Sequence, residues 1–115
     1  MPEAVIYYNP HCGTCRKVLE ALEKKGLTPR IVEYLKNPPA ESEIDEMLRK
    51  LGLEPEGLAR KKEPLYQEKA AGRRLTRAQW LKLFHEHPVL IERPVVVVRS
   101  RAVIARPPER LETLF

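Results

Sequence analysis

Apolar residues come in short bursts along the chain, and the spacing within each burst switches between two periods. Ala4-Val5-Ile6-Tyr7-Tyr8 is a compact β-branched and aromatic run, which predicts a buried strand. Val18, Leu19 and Leu22 recur at helical spacing, and Gly26 offers a left-handed stop before Thr28-Pro29. Arg30 to Leu35 alternates well enough for a second strand. Strand, helix, strand in that order implies a right-handed crossover and parallel pairing. Pro38-Pro39 ends the strand, and Ile44, Met47, Leu48 and Leu51 mark one face of a helix closed by Gly52. A further short helical segment is expected from Pro55 to about Arg60, then polar, basic loop with partial helix over 61–75.

Thr76-Arg77-Ala78-Gln79 has the spacing of a capping box, in which Thr76 and Gln79 satisfy each other's free N–H groups. Trp80, Leu81, Leu83 and Phe84 then form a core-facing stripe until Pro88. Pro94 opens Val95-Val96-Val97-Val98, a run expected to be buried on both faces. Arg99-Ser100 should turn the chain so that Ala102 to Ala105 pairs back as a hairpin. Pro107-Pro108 opens a terminal helix over 109–115, with Leu111, Leu114 and Phe115 facing inward. The order β-α-β, helices, β-β-α describes an α/β fold of thioredoxin-like (glutaredoxin-like) type: a mixed four-stranded sheet in one domain over 1–115, with a helical insert at about 40–87.

Composition narrows the class. A chain of 115 residues has room for one modest core, and 43% hydrophobic with 32% charged residues belongs to a folded chain, not a disordered one. No apolar run approaches the ~20 residues that span a bilayer. Met1-Pro2-Glu3-Ala4 lacks the basic flank and apolar core of a secretory signal, so a cytoplasmic location is expected. In that compartment a lone Cys-X-X-Cys reads as redox-active more readily than as a staple. His11, His85 and His87 do not combine with the two cysteines into a zinc-finger spacing, and no metal site is expected. The net charge of +5, with basic clusters at Arg60-Lys61-Lys62 and Arg73-Arg74, fits an anionic ligand or partner. Neither a recognition motif nor enough stacking aromatics supports direct nucleic-acid binding.

The chemistry concentrates in Asn9-Pro10-His11-Cys12-Gly13-Thr14-Cys15-Arg16. Cys12 stands where a strand ends and a helix begins. There the unpartnered N–H groups and aligned peptide dipoles favour a thiolate, making Cys12 the candidate nucleophile. Gly13 lets the backbone bend and leaves its N–H unshielded, Thr14 adds a hydroxyl, and together they can form an anion nest. Cys15, one turn on, can attack a sulfur adduct on Cys12 and leave an intramolecular disulfide; it reads equally as a core residue. His11 either supports the thiolate or is a surface side chain. Arg93-Pro94 precedes the valine run and Arg106-Pro107-Pro108 follows the last strand, so both arginines sit stiffly at an edge of the sheet. Pro94 is a candidate cis proline that would carry Arg93 toward Cys12.

These motifs carry a resemblance. Tyr7-Tyr8-Asn9-Pro10-His11-Cys12-Gly13-Thr14, Leu58-Ala59-Arg60-Lys61-Lys62-Glu63-Pro64, His87-Pro88-Val89-Leu90-Ile91-Glu92-Arg93-Pro94-Val95-Val96-Val97 and Arg106-Pro107 occur in order over nearly the whole chain. In this the chain resembles the arsenate reductase family of glutaredoxin-like fold, with its Spx-type regulator relatives. The resemblance implies that Cys12 is the catalytic cysteine, that Arg60, Arg93 and Arg106 bind the oxyanion, and that Pro94 is the cis proline. Planar guanidinium groups suit a tetrahedral oxyanion and also favour the thiolate. It further implies no bound cofactor, with glutathione and glutaredoxin, or thioredoxin, as external reductant.

Two departures from the glutathione-linked pattern stand out. Cys15 occupies a position where those reductases usually carry serine, which permits a cycle resolved by Cys15 and reset by a dithiol. Tyr8 stands where they often carry histidine. The expected activity is therefore thiol-dependent reduction of arsenate to arsenite. The alternatives are a general glutaredoxin-like thiol-disulfide oxidoreductase and an Spx-type redox sensor that binds RNA polymerase.

Overall fold

β1 (Ala4–Tyr7) is an inner strand of a four-stranded sheet with the order β2-β1-β3-β4. The computed structural model describes residues 4–115. The chain divides into two compact units, one running up to Asn37 and resuming over Arg93–Phe115, the other spanning Pro38–Glu92. In the first, β2 (Arg30–Val32) lies parallel to β1, with Ile6 opposite Ile31. β3 (Val95–Val98) lies antiparallel on the other side, with Ile6 opposite Val96. β4 (Arg101–Ile104) completes a hairpin with β3, Val98 facing Arg101. The sheet is mixed, as the element order predicts.

The helix between the parallel strands, α1 (Gly13–Lys24), buries Cys15, Val18 and Leu22. Its end depends on Gly26: at φ 83°, a value that suits a residue without Cβ, Gly26 lets Leu27 N–H return to the Leu22 carbonyl at 3.2 Å. Val18 and Leu22 meet Ala4, Ile6, Val96, Val98, Val103, Leu111 and Leu114 in one apolar cluster. Each large side chain buried there contributes about 1.5–3 kcal/mol, so the periodic positions of helix and strands hold this unit together. All four valines of β3 are buried.

Three expectations need correction here. β2 stops at Val32 instead of Leu35, because the Glu33 carbonyl accepts the N–H groups of Lys36 and Asn37 at 3.0 and 2.9 Å. The chain thereby turns, and Tyr34 is buried in that turn, not in a strand. The terminal element is a 3-10 helix over Pro108–Leu114, whose three-residue period puts Leu111 and Leu114 on one buried side. Phe115 falls off that repeat and is 54% exposed, with Lys25 Nζ 4.8 Å from its ring centroid.

The second unit is helical: α2 (Glu41–Leu51), α3 (Pro55–Leu58), α4 (Pro64–Lys69), α5 (Arg77–Glu86) and a 3-10 turn at Pro88–Leu90. Ile44, Met47 and Leu48 of α2 are buried, as are Trp80 and Phe84 of α5, whose rings stack at 5.5 Å. Arg77 Nε donates to Asp45 Oδ1 at 2.7 Å, tying α5 to α2 and holding the Asp45 carboxyl below its ordinary range. The expected capping box is complete: Thr76 Oγ1 accepts Gln79 N–H and Gln79 Oε1 accepts Thr76 N–H. Among the described residues, no helix is long and apolar enough to cross a membrane.

Candidate active site

The sheet hands the chain to α1 through a turn organised by Asn9. Tyr8 N–H makes a last sheet-like bond to the Val32 carbonyl at 2.8 Å. The Asn9 carbonyl then accepts Cys12 N–H at 3.0 Å, and Asn9 Oδ1 accepts His11 N–H at 3.0 Å. Cys12 is the N-cap of α1, extended at φ −100° and ψ 118°, with its carbonyl accepting Arg16 N–H at 3.2 Å. No side chain caps the helix and no acid lies in its first turn. The positive end of the helix is thus left for whatever negative charge forms at Cys12.

The two thiols have opposite settings. Burial opposes ionisation of Cys12. It is outweighed by hydrogen bonds from the Cys15 backbone and thiol, by the Arg106 guanidinium and by the charge of Arg93, so the Cys12 thiol is held below its ordinary value. Cys15 has no exposed surface, and burial, with the neighbouring Cys12 sulfur, pushes its thiol up to about 12 despite a bond from the Asn9 backbone. Of the two sulfurs the outer one is the readier to ionise, while the inner one keeps its proton.

Arg106 comes from the far end of the chain. Its Nη1 donates to Cys12 Sγ at 3.7 Å, within hydrogen-bond reach for sulfur. The backbone around it is fixed by the hairpin: Ala105 N–H donates to the Pro94 carbonyl at 2.9 Å, and Arg106 N–H to the Ile104 carbonyl at 2.9 Å. The Arg93–Pro94 peptide is cis; so is Arg106–Pro107, which the sequence reading did not anticipate. The first unit therefore brings Cys12, Cys15, Arg93 and Arg106 into one electrostatic group.

Gly13 and Thr14 open α1 beside Cys12. Gly13 lies in the helix and is not among the positive-φ glycines, so no unusual bend requires it. A Cβ there would meet nothing within 4 Å, so its side of the turn stands open. Arg60 belongs to the second unit, just after α3. Its N–H donates to the Leu90 carbonyl at 2.7 Å and its Nη1 pairs with Glu63 Oε2 at 3.5 Å. His11 is exposed. Asn9 is the residue whose part in the turn the sequence reading passed over; a short polar side chain three residues before an N-cap was the available signal.

A dithiol turn at the end of the first strand of such a sheet, with a guanidinium on its outer sulfur, defines a thioredoxin-like thiol protein. More narrowly, the chain belongs to the ArsC family, whose model matches residues 7–114. It is similar to the arsenate reductase of Neisseria meningitidis serogroup A, at 37% identity over 117 residues that cover all of both chains. The Haemophilus influenzae arsenate reductase is 38% identical over 107 residues, covering 91% of this chain and 92% of that one. Among solved structures, the arsenate reductase from Vibrio cholerae superposes with a TM-score of 0.94 at 37% identity, covering 99% of this chain and 98% of that one.

Proposed function

We propose that this protein is an arsenate reductase and that Cys12 is its nucleophile. The observation that carries the reading is the Arg106 guanidinium on the sulfur of an N-cap cysteine, in a chain of this family. The same positive field that favours a thiolate also favours a tetrahedral oxyanion placed against it.

In the first step, the Cys12 thiolate attacks arsenic and a hydroxyl leaves as water after gaining a proton, giving a sulfur–arsenic(V) adduct. Arg93 and Arg106 bear on Cys12 and neutralise charge on the oxygens; the family resemblance assigns Arg60 the same task. In the second step, a further thiolate attacks the Cys12 sulfur and a disulfide forms. The sulfur–arsenic bond breaks with its electron pair passing to arsenic, which leaves as arsenite. That thiolate is either Cys15, with thioredoxin resetting the disulfide, or glutathione, with glutaredoxin doing so. Full-length relatives bearing an enzyme's name favour this reading over an RNA polymerase-binding regulator.

The test is arsenite production with glutathione–glutaredoxin and with thioredoxin supplied separately. Cys12→Ser should abolish turnover with either reductant, and turnover that survives it rejects the mechanism.

A further inference from the structure

Asn9 meets the reactive turn at three points. Its Oδ1 accepts His11 N–H, its carbonyl accepts Cys12 N–H, and its own backbone bonds to the Cys15 sulfur. Pro10 has no N–H, so His11 and Cys12 hold the donors between Asn9 and the helix, and both bind Asn9. We propose that Asn9 is a positioning residue for the reaction: its side-chain amide locks the turn that aims the Cys12 sulfur at Arg106 and Cys15. The proposal rests on Cys12 being the nucleophile.

The argument turns on which contacts a substitution can remove. The two backbone bonds survive any residue but proline at position 9; the Oδ1 bond to His11 N–H is lost with the side-chain oxygen. Without it, His11 N–H turns to water and the 9–12 segment keeps one internal hydrogen bond where it had two. The backbone torsions of Cys12 are then less restrained, and so is the distance of its sulfur from the Arg106 guanidinium. The side chain must carry an acceptor oxygen close to its own backbone, which Asn, Asp and Ser do. Asp would set a carboxylate beside the thiolate it helps to place. Asn supplies the acceptor without the charge.

The experiment is the pH dependence of Cys12 alkylation by iodoacetamide in the full-length protein, read by the mass of the single adduct. Arsenate kinetics are run on the same variants. Asn9→Ala should move the alkylation midpoint up by about one pH unit and lower kcat about tenfold, because fewer molecules hold the thiolate in place. Asn9→Ser should restore most of both, and Asn9→Asp should keep the midpoint high through its charge. An Asn9→Ala variant that melts like wild type with an unmoved midpoint overturns the proposal, as does failure of Asn9→Ser to restore it. A wild-type midpoint at the ordinary thiol value would instead sink the assignment of Cys12 as nucleophile, a separate result.

Discussion

Arg106 Nη1 stands 3.7 Å from Cys12 Sγ, although 94 residues of chain separate them. The pairing of β3 with β4 brings this about, because Arg106 follows the last strand by two residues and the Ala105 backbone is tied to Pro94. A hydrogen bond to a charged group is worth about 1.5–3 kcal/mol.

Arg106→Ala should therefore lower kcat/KM for arsenate by about 10- to 100-fold and raise the pH at which Cys12 becomes alkylated. Arg106→Lys should recover part of the charge effect on alkylation but little of the turnover, because an ammonium lacks the planar fork. Steady-state kinetics and an alkylation profile on the same preparations check both; equal activity of the Ala variant and wild type rejects the assignment.

Cys15→Ser should leave a glutathione–glutaredoxin-coupled cycle running and stop a thioredoxin-coupled one, because the internal disulfide can no longer form. Arsenite release under each reductant is the measurement. Equal loss under both would mean that the buried thiol is there for packing.

Stability should respond to alkaline pH through Cys15. Its folded thiol is raised from 9.0 to about 12, so the unfolded chain gives up this proton first as pH rises. Stability linked to this group is fully present below pH 9 and is lost as pH climbs toward about 12. Cys12 works in the opposite sense: its lowered value favours the folded state above pH 9, and this contribution fades as pH falls through its folded value. Urea midpoints measured over this range should decline less steeply in Cys15→Ala than in wild type; parallel slopes would exclude the linkage.

The capping box gives a prediction remote from the chemistry. Thr76→Ala removes the acceptor for Gln79 N–H at the start of α5, at a cost of about 1 kcal/mol. Urea denaturation should register the loss, while the rate of Cys12 alkylation stays unchanged.

Much of this was written in local pattern. Val95–Val98 announced an inner strand, Val18 and Leu22 the buried face of α1, and Thr76 with Gln79 the start of α5, because each signal acts within a few residues. The β2 boundary was misread because Ile31 and Tyr34 look equally strand-like, and the turn bonds of Glu33 leave no mark in hydrophobicity. Phe115 was misplaced because a 3.6-residue period was assumed where the chain takes three. At the site, the place of Cys12 at the mouth of a helix was legible from the strand and helix patterns on either side of it. The approach of Arg106 to it depends on strand register, which no local pattern encodes. The part of Asn9 was hidden for another reason: it acts through backbone donors that every sequence contains.

The placement of β1 between strands from opposite ends of the chain has a consequence for biosynthesis. The cysteine leaves the ribosome early, while the strand that flanks β1 and the arginine that touches the sulfur are made some ninety residues later. Throughout that interval the thiol has only the bonds from nearby Cys15 and lacks the charges of Arg93 and Arg106. The full lowering of its proton affinity therefore waits until translation has passed the last strand.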